Sequence, residues 1–156
     1  MENSIIRRIE LDDLNRIIDL ENKCFNSNSA YSVKQLKYLI KDANSDCIGE
    51  INNDLIRGFI IVLYRKRSQV AGIETLNVDP IFQGKGIGKK LLYAAEEEMY
   101  NRSIRRIRLE VSTGNIPAIK LYKKSGFIKH SILTNYYKCQ YFGTNNALRM
   151  IKELAT

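Results

Sequence analysis

Tryptophan is absent from this 156-residue chain, histidine occurs once, proline twice and cysteine three times. Each scarcity removes a class of chemistry. The single imidazole, His130, excludes mechanisms that need two, among them the His-Glu-x-x-His zinc peptidase pattern. A Ser-His-Asp triad would have to use the same residue, and no Gly-x-Ser-x-Gly elbow accompanies it, so the chain does not read as a hydrolase. Cys24, Cys47 and Cys139 are odd in number, widely spaced and never paired as Cys-x-x-Cys. Neither a disulfide framework nor a structural zinc site is expected, and the compartment reads as reducing, hence cytoplasmic. Long apolar runs are also missing: the longest, residues 59–64, is far short of the ~18–20 residues of a membrane span. The first residues lack a basic start followed by an apolar stretch, so neither a secretory signal nor a membrane partner is expected, and the mature protein is expected to be the whole chain.

What is present is 44% hydrophobic and 27% charged residues, with 25 Lys and Arg against 17 Asp and Glu for a net charge of +8. This is the composition of one globular domain, residues 1–156, able to bury roughly 70% of the surface its unfolded form exposes. Residues 4–10 read as a strand, and Asp12 and Asp13 open an amphipathic helix to about residue 21. A loop over 26–31 leads to Ser32, the N-cap of a second helix carrying Leu36, Leu39 and Ile40. Strands follow at 47–51 and 55–65, joined by the turn Asn52-Asn53-Asp54, and at 69–78. Ile87, Leu91, Leu92, Ala95 and Met99 mark a helix of about four turns. Residues 107–111 then alternate as a strand, Asn115 caps a short helix ended by Gly126, and 127–133 and 146–152 are two last strands. The order specifies a mixed, largely antiparallel α/β sheet of six to seven strands with about four flanking helices.

The stretch from Gln83 through Gly84, Lys85, Gly86, Ile87 and Gly88 to Lys89 follows a strand and opens a helix, where free N–H groups bind anionic oxygens. Spacing excludes two nucleotide loops. A Walker A loop counted from Gly84 has Lys at position 89 but no Ser or Thr after it, and a dinucleotide fingerprint would need Gly or Ala there.

Leu76-Asn77-Val78-Asp79-Pro80 with the glycine cluster resembles the acetyl-CoA pyrophosphate signature of the GCN5-related N-acetyltransferases, Gln/Arg-x-x-Gly-x-Gly/Ala, which Gln83, Gly86 and Gly88 satisfy. Leu109-Glu110-Val111, Asn115, Ala118, Leu121-Tyr122 and Gly126-Phe127 resemble the family's next block in order and spacing. Tyr136-Tyr137 and the Asn146-Ala-Leu-Arg-Met150 segment are similar to the RimI-like branch that acetylates N-terminal α-amino groups, with Asn146 in place of its Asp and Ser112 where many members have Arg.

The resemblance implies acetyl-CoA as acetyl donor and no metal. It implies cofactor contacts at Leu76, Asn77, Val78, Gln83, Gly84, Lys85, Gly86, Ile87, Gly88, Lys89 and Asn115, with the Val78 N–H on the thioester oxygen. Tyr122 is implied as the acid that protonates the departing thiolate, and Glu110 as the proton acceptor acting through water. Phe25, Tyr31, Tyr136 and Tyr137 are implied as walls of the acceptor groove. The implied substrates are protein or peptide N-termini, with ribosome proximity, an auxiliary subunit or a homodimer as further partners.

An α-amine with a pKa near 8 is about one-tenth neutral at pH 7, a lysine about one part in 2,500, so a weak base suffices for an N-terminus. Two alternatives stand beside this reading: acetylation of polyamines, other small amines or protein lysines, and a non-enzymatic RNA- or ribosome-binding module built on the basic runs 64–67 and 102–108. Cationic small substrates call for an acidic groove, and residues 25–31 contain no Asp or Glu. No RNA-recognition motif with interleaved aromatics accompanies the basic runs.

Overall fold

The computed structural model describes residues 4–25 and 30–154, so most of the predicted 26–31 loop lies outside the described residues. Among the described residues the elements run β1 (Ser4–Arg8), α1 (Leu14–Cys24), α2 (Val33–Lys41), β2 (Ser45–Asn52), β3 (Leu55–Tyr64), β4 (Val70–Val78), α3 (Ile87–Asn101), β5 (Arg106–Ser112), α4 (Ile116–Lys124), β6 (Ile128–Leu133) and β7 (Ala147–Glu153). The strands form one sheet in the order β1-β2-β3-β4-β5-β7-β6. Only β4 and β5 run parallel, so the sheet is mixed and largely antiparallel, as the sequence specifies.

The capping residues act as read. Ser32 accepts the Gln35 N–H while the Gln35 side chain accepts the Ser32 N–H, closing both ends of the first turn of α2. The Asn115 side chain accepts from the Ala118 N–H at the start of α4. The first helix differs from its predicted form. Asp12 and Asp13 belong to a separate 3-10 turn, Leu11–Asp13, because the Asp13 carboxylate accepts the Glu10 N–H and the Arg7 guanidinium. The helix proper starts at Leu14 and ends at Cys24, a turn later than predicted.

Apolar layers cover both faces of the sheet, and β3 feeds both. Ile60, Val62 and Tyr64 pack under α3 with Leu91, Ala95 and Met99. Phe59 and Ile61 face the other way, onto Ile17, Leu20, Leu36 and Leu39 of α1 and α2. Fully buried side chains of this size stabilise by roughly 1.5–3 kcal/mol each, so the central strand anchors both layers.

Two features of β4 position the cleft. The first is a bulge: Ile61 pairs with Thr75 and Val62 with Ile73, leaving Glu74 as an extra residue. Ala71 and Ile73 lie in the α3 layer before it, and Leu76 and Val78 pack against that same layer after it. Thr75 and Asn77 are thereby turned toward α1. The second is the parting of the parallel strands. Pairing of β4 with β5 covers Val70↔Arg106 to Ile73↔Leu109 and stops. Beyond it the strand ends diverge, and the gap between them opens a cleft.

Candidate active site

The cleft encloses about 180 Å³ between the ends of β4 and β5, the start of α4 and the tyrosines that follow β6. Its backbone wall follows from ladder geometry. The Asp79 N–H donates to the Arg57 carbonyl at 2.8 Å, so by the two-residue alternation of an antiparallel pair Asn77 and Thr75 also direct their backbone groups at β3. Leu76 and Val78 direct theirs into the gap. The Val78 carbonyl accepts from the Gln83 side-chain amide at 3.2 Å and from the Cys24 thiol at 3.4 Å, which leaves the Val78 N–H as the donor facing the opening.

Asn77 is a correction. Its side chain is 1% exposed and donates to Glu21 Oε1 at 2.6 Å on the α1 side of the sheet, because the Glu74 bulge reversed its direction. Neither its side chain nor its backbone faces the gap. The Gln83 side chain braces the loop against β4, and the Ile87 side chain is buried in the core.

Gly84 and Gly86 have φ of +83° and +81°, the left-handed conformation that glycine takes without a Cβ clash. Gly86 is the N-cap of α3, so the N–H groups of Ile87, Gly88 and Lys89 have no partner within the helix and form a site suited to anionic oxygens. At Gly88 a Cβ would lie 3.0 Å from Leu121 Cδ2, which shows how closely α3 and α4 approach beside the cleft. Lys85 lies 5.8 Å from the centre of the Phe82 ring. Asn115 lines the cleft while its Oδ1 caps α4.

Tyr122 and Glu110 reach the cleft from α4 and β5. Tyr122 is 7% exposed, its ring edge-on to Phe127. Burial, and then the nearby Tyr137, push its pKa above the ordinary tyrosine value, so the hydroxyl keeps its proton at neutral pH. Glu110 accepts from Arg149 Nε at 3.1 Å, with Arg108 Nε at 3.5 Å. It therefore both faces the cleft and carries the sheet-surface ion pairing that its sequence neighbours suggest.

The acceptor side is aromatic. Phe25, Tyr137 and Tyr141 form a stack with ring centres 5.3 Å apart at each step, and Tyr136 packs edge-on to Tyr137 at 5.0 Å. Burial first, then Tyr136 and Glu110, push the Tyr137 hydroxyl up to about 12. Ser112 donates to the Tyr141 carbonyl at 2.7 Å, and Asn146 Oδ1 accepts the Asn135 N–H, so both departures from the branch pattern have structural work in this chain. Sequence reasoning missed Tyr141 and, more consequentially, two acids: Glu21 and Glu74 line the same cleft as Glu110. The acidic character absent from the 25–31 loop comes from α1 and β4. Consecutive polar residues at Glu74 and Thr75, which break the strand's alternation, were the available signal.

Cys24 lies beside Val78, and burial followed by the nearby Glu21 pushes its thiol up to about 11, a protonated and unreactive state at neutral pH. Among the described residues no group of three His, Cys, Asp or Glu side chains could hold a metal ion, and no helix is long and apolar enough to cross a membrane. The basic run 102–108 is largely engaged: Arg102 meets Asp46 and stacks 4.0 Å over Tyr64, Arg106 meets Glu153, and Arg108 meets Glu110.

Comparison with known proteins places the chain among relatives of one kind. The pattern described as the acetyltransferase (GNAT) family matches residues 14–127. An uncharacterized N-acetyltransferase of Methanocaldococcus jannaschii is 28% identical over 96% of this chain and 66% of its own length. An N-alpha-acetyltransferase of Sulfurisphaera tokodaii is 31% identical over 85% of this chain and 84% of its own length. The chain spans between 55% and 84% of the first such relatives. The crystal structure of the ribosomal-protein-S18-alanine N-acetyltransferase from Escherichia coli superposes with a TM-score of 0.86 at 25% identity, covering 98% of this chain and 95% of that one.

Proposed function

This chain belongs to the acetyltransferase (GNAT) family, and on that footing we propose that it moves the acetyl group of acetyl-CoA to the N-terminal α-amino group of a protein or peptide, by direct transfer with both substrates bound. The observation that carries the reading is the gap beyond the last β4–β5 pair, a cleft lined by Leu76 of the open β4 edge, by the protonated Tyr122 and by the Glu110 carboxylate, from three elements.

Acetyl-CoA supplies an activated acyl carbon and a thiol leaving group. Leu76 and Val78 would hold its arm by adding backbone hydrogen bonds along the open edge of β4, and the N–H groups at the start of α3 would bind its phosphates. The Val78 N–H would polarise the thioester oxygen, a role worth up to several kcal/mol when the donor is fixed in advance. Tyr122 would give its proton to the sulfur, and Glu110 would take the proton of the amine, through water. The raised pKa of the Cys24 thiol weighs against an acyl-cysteine route and supports direct transfer.

Support for the α-amino acceptor comes from the Tyr136-Tyr137 wall and from relatives named for protein N-termini, a ribosomal protein among their acceptors. The acids in the cleft favour a second reading, small cationic amines such as polyamines. Release of coenzyme A, followed by thiol detection over peptides with free and blocked N-termini, an internal-lysine peptide and spermidine, separates them. Turnover confined to free N-termini is the expected result. Turnover on spermidine or the blocked lysine peptide transfers the assignment to the second reading.

A further inference from the structure

Three carboxylates line the cleft, and their surroundings differ. Glu21 is 1% exposed and accepts from the Tyr31 N–H at 2.8 Å, from Asn77 at 2.6 Å and from Thr75 at 3.4 Å, so its acceptor capacity is used inside the protein. Glu110 is compensated by Arg149 and Arg108. Glu74 has a different environment: Tyr31 Oη donates to its Oε2 at 2.7 Å, and among the described residues it forms no ion pair. It is half-buried, and it also borders a neighbouring groove of about 190 Å³. A partly desolvated carboxylate with one neutral hydrogen bond and no ion pair, with Arg65 and Arg108 bordering its grooves but not paired to it, gains from a ligand that brings a cation into direct contact. The bulge sets it there, since the inserted residue is what projects Glu74 beside Tyr31 rather than continuing the regular ladder.

We propose that Glu74 is the counter-charge for the acceptor: its carboxylate receives the acceptor's ammonium group and makes a cationic amine the preferred substrate class. The inference rests on the acetyl-transfer reading above, and adds to it a recognition residue distinct from the proton acceptor. About nine-tenths of an α-amine is protonated at pH 7, so the acceptor reaches the cleft as a cation and needs an anion to dock on before it surrenders a proton. Glu110 is poorly suited to both duties because two guanidinium groups already adjoin it. Tyr31 and Tyr136 line the cleft beside Glu74 and present ring surface to the same cation.

The test compares Glu74→Gln and Glu74→Asp with the unaltered enzyme under saturating acetyl-CoA, using whichever amine of the panel is turned over. Glu74→Gln is expected to raise the acceptor KM about 10- to 100-fold while kcat and the acetyl-CoA KM each stay within about threefold. Glu74→Asp, which keeps the charge, falls between the two. The melting temperature of Glu74→Gln stays level or rises, since an uncompensated charge is removed. An unchanged acceptor KM, or a rise in both KM values together, overturns the proposal. Turnover of spermidine alone would defeat the α-amino reading and still leave the Glu74 comparison intact. Where no amine is turned over, calorimetric titration of the free-N-terminus peptide and of spermidine into the protein with bound coenzyme A takes its place. Binding that weakens in Glu74→Gln supports the counter-charge role, and absence of binding by every cation refutes it.

Discussion

Asp46 and Glu74 each accept a hydrogen bond from a tyrosine hydroxyl, Tyr64 at 2.6 Å and Tyr31 at 2.7 Å, yet only Asp46 is met by guanidinium groups. Arg8 Nη1 reaches Asp46 at 2.6 Å and Arg102 Nη2 at 3.3 Å, with the Arg102 guanidinium stacked over the Tyr64 ring. The Asp46 side chain is 0% exposed and its charge is balanced within the chain. The same tyrosine–carboxylate bond thus serves two ends. Where arginines complete it, it ties β1, β2, β3 and the end of α3 together; where it opens on the cleft without them, it waits for a charge from outside.

The sharpest way to separate the two regions is to remove a group from each and ask whether rate or stability responds. On the cleft side, Tyr122→Phe is expected to lower kcat about 10²- to 10³-fold with little change in melting temperature or acetyl-CoA KM, read by steady-state kinetics beside a thermal melt. On the closed side, Asp46→Asn is expected to cost about 2–3 kcal/mol in urea unfolding, because it breaks charge-assisted bonds to a buried group, while kcat per folded molecule is unchanged. A loss of rate in Asp46→Asn without a loss of stability would dissolve the distinction.

Acid titration sharpens it further. Burial alone would raise the Asp46 pKa, but the hydrogen bonds from Tyr64 and Arg8 and the charge of Arg102 outweigh it and hold the carboxyl below the usual aspartate range. A folded-state pKa lower than the unfolded one contributes stability that is full above the unfolded value and is lost as pH falls through the folded one. The stability gap between the unaltered protein and Asp46→Asn is therefore expected to be level above about pH 5 and to narrow below about pH 4, in melts taken across that range. Glu21 has the opposite sign. Desolvation raises its pKa against its three hydrogen bonds, so its charge is a burden at neutral pH that acid relieves.

Smaller effects are expected outside both clusters. Gly86→Ala meets no atom within 4 Å, so its cost is conformational, about 1–2 kcal/mol for a left-handed φ, with weaker acetyl-CoA binding as the cleft-side readout. Arg106→Ala removes a pair in which both side chains are at least half exposed, and its effect on unfolding is expected to stay below about 1 kcal/mol.

The order of elements was legible because their ends carry chemical marks: Ser32 and Asn115 at helix starts, the Asn52-Asn53-Asp54 turn, and the two-residue alternation of 107–111. Glu110 and Tyr122 were legible as parts of one pattern and line one cleft, and the glycine cluster was legible as the start of α3. What could not be read was direction within β4. The resemblance implied a cofactor contact at Asn77, and the bulge, marked in the sequence only by the adjacent polar residues Glu74 and Thr75, turns that side chain toward Glu21. The acids of the groove escaped for a related reason: Glu21 and Glu74 lie on elements far apart in sequence, and only packing makes them neighbours of Tyr31.

The inserted residue at 74 makes β4 a strand of fixed parity. Every side chain beyond it is assigned inside or outside by counting from that point. Flattening the bulge with every residue kept would carry Thr75 and Asn77 into the apolar layer beneath α3 and send Leu76 and Val78 out toward Glu21, turning the wall of the cleft inside out, whereas deleting residue 74 restores plain alternation from Ile73 and leaves all four on their present sides. The strand can therefore lose this one residue without exchanging its faces, and what the extra residue adds is the side chain that it projects.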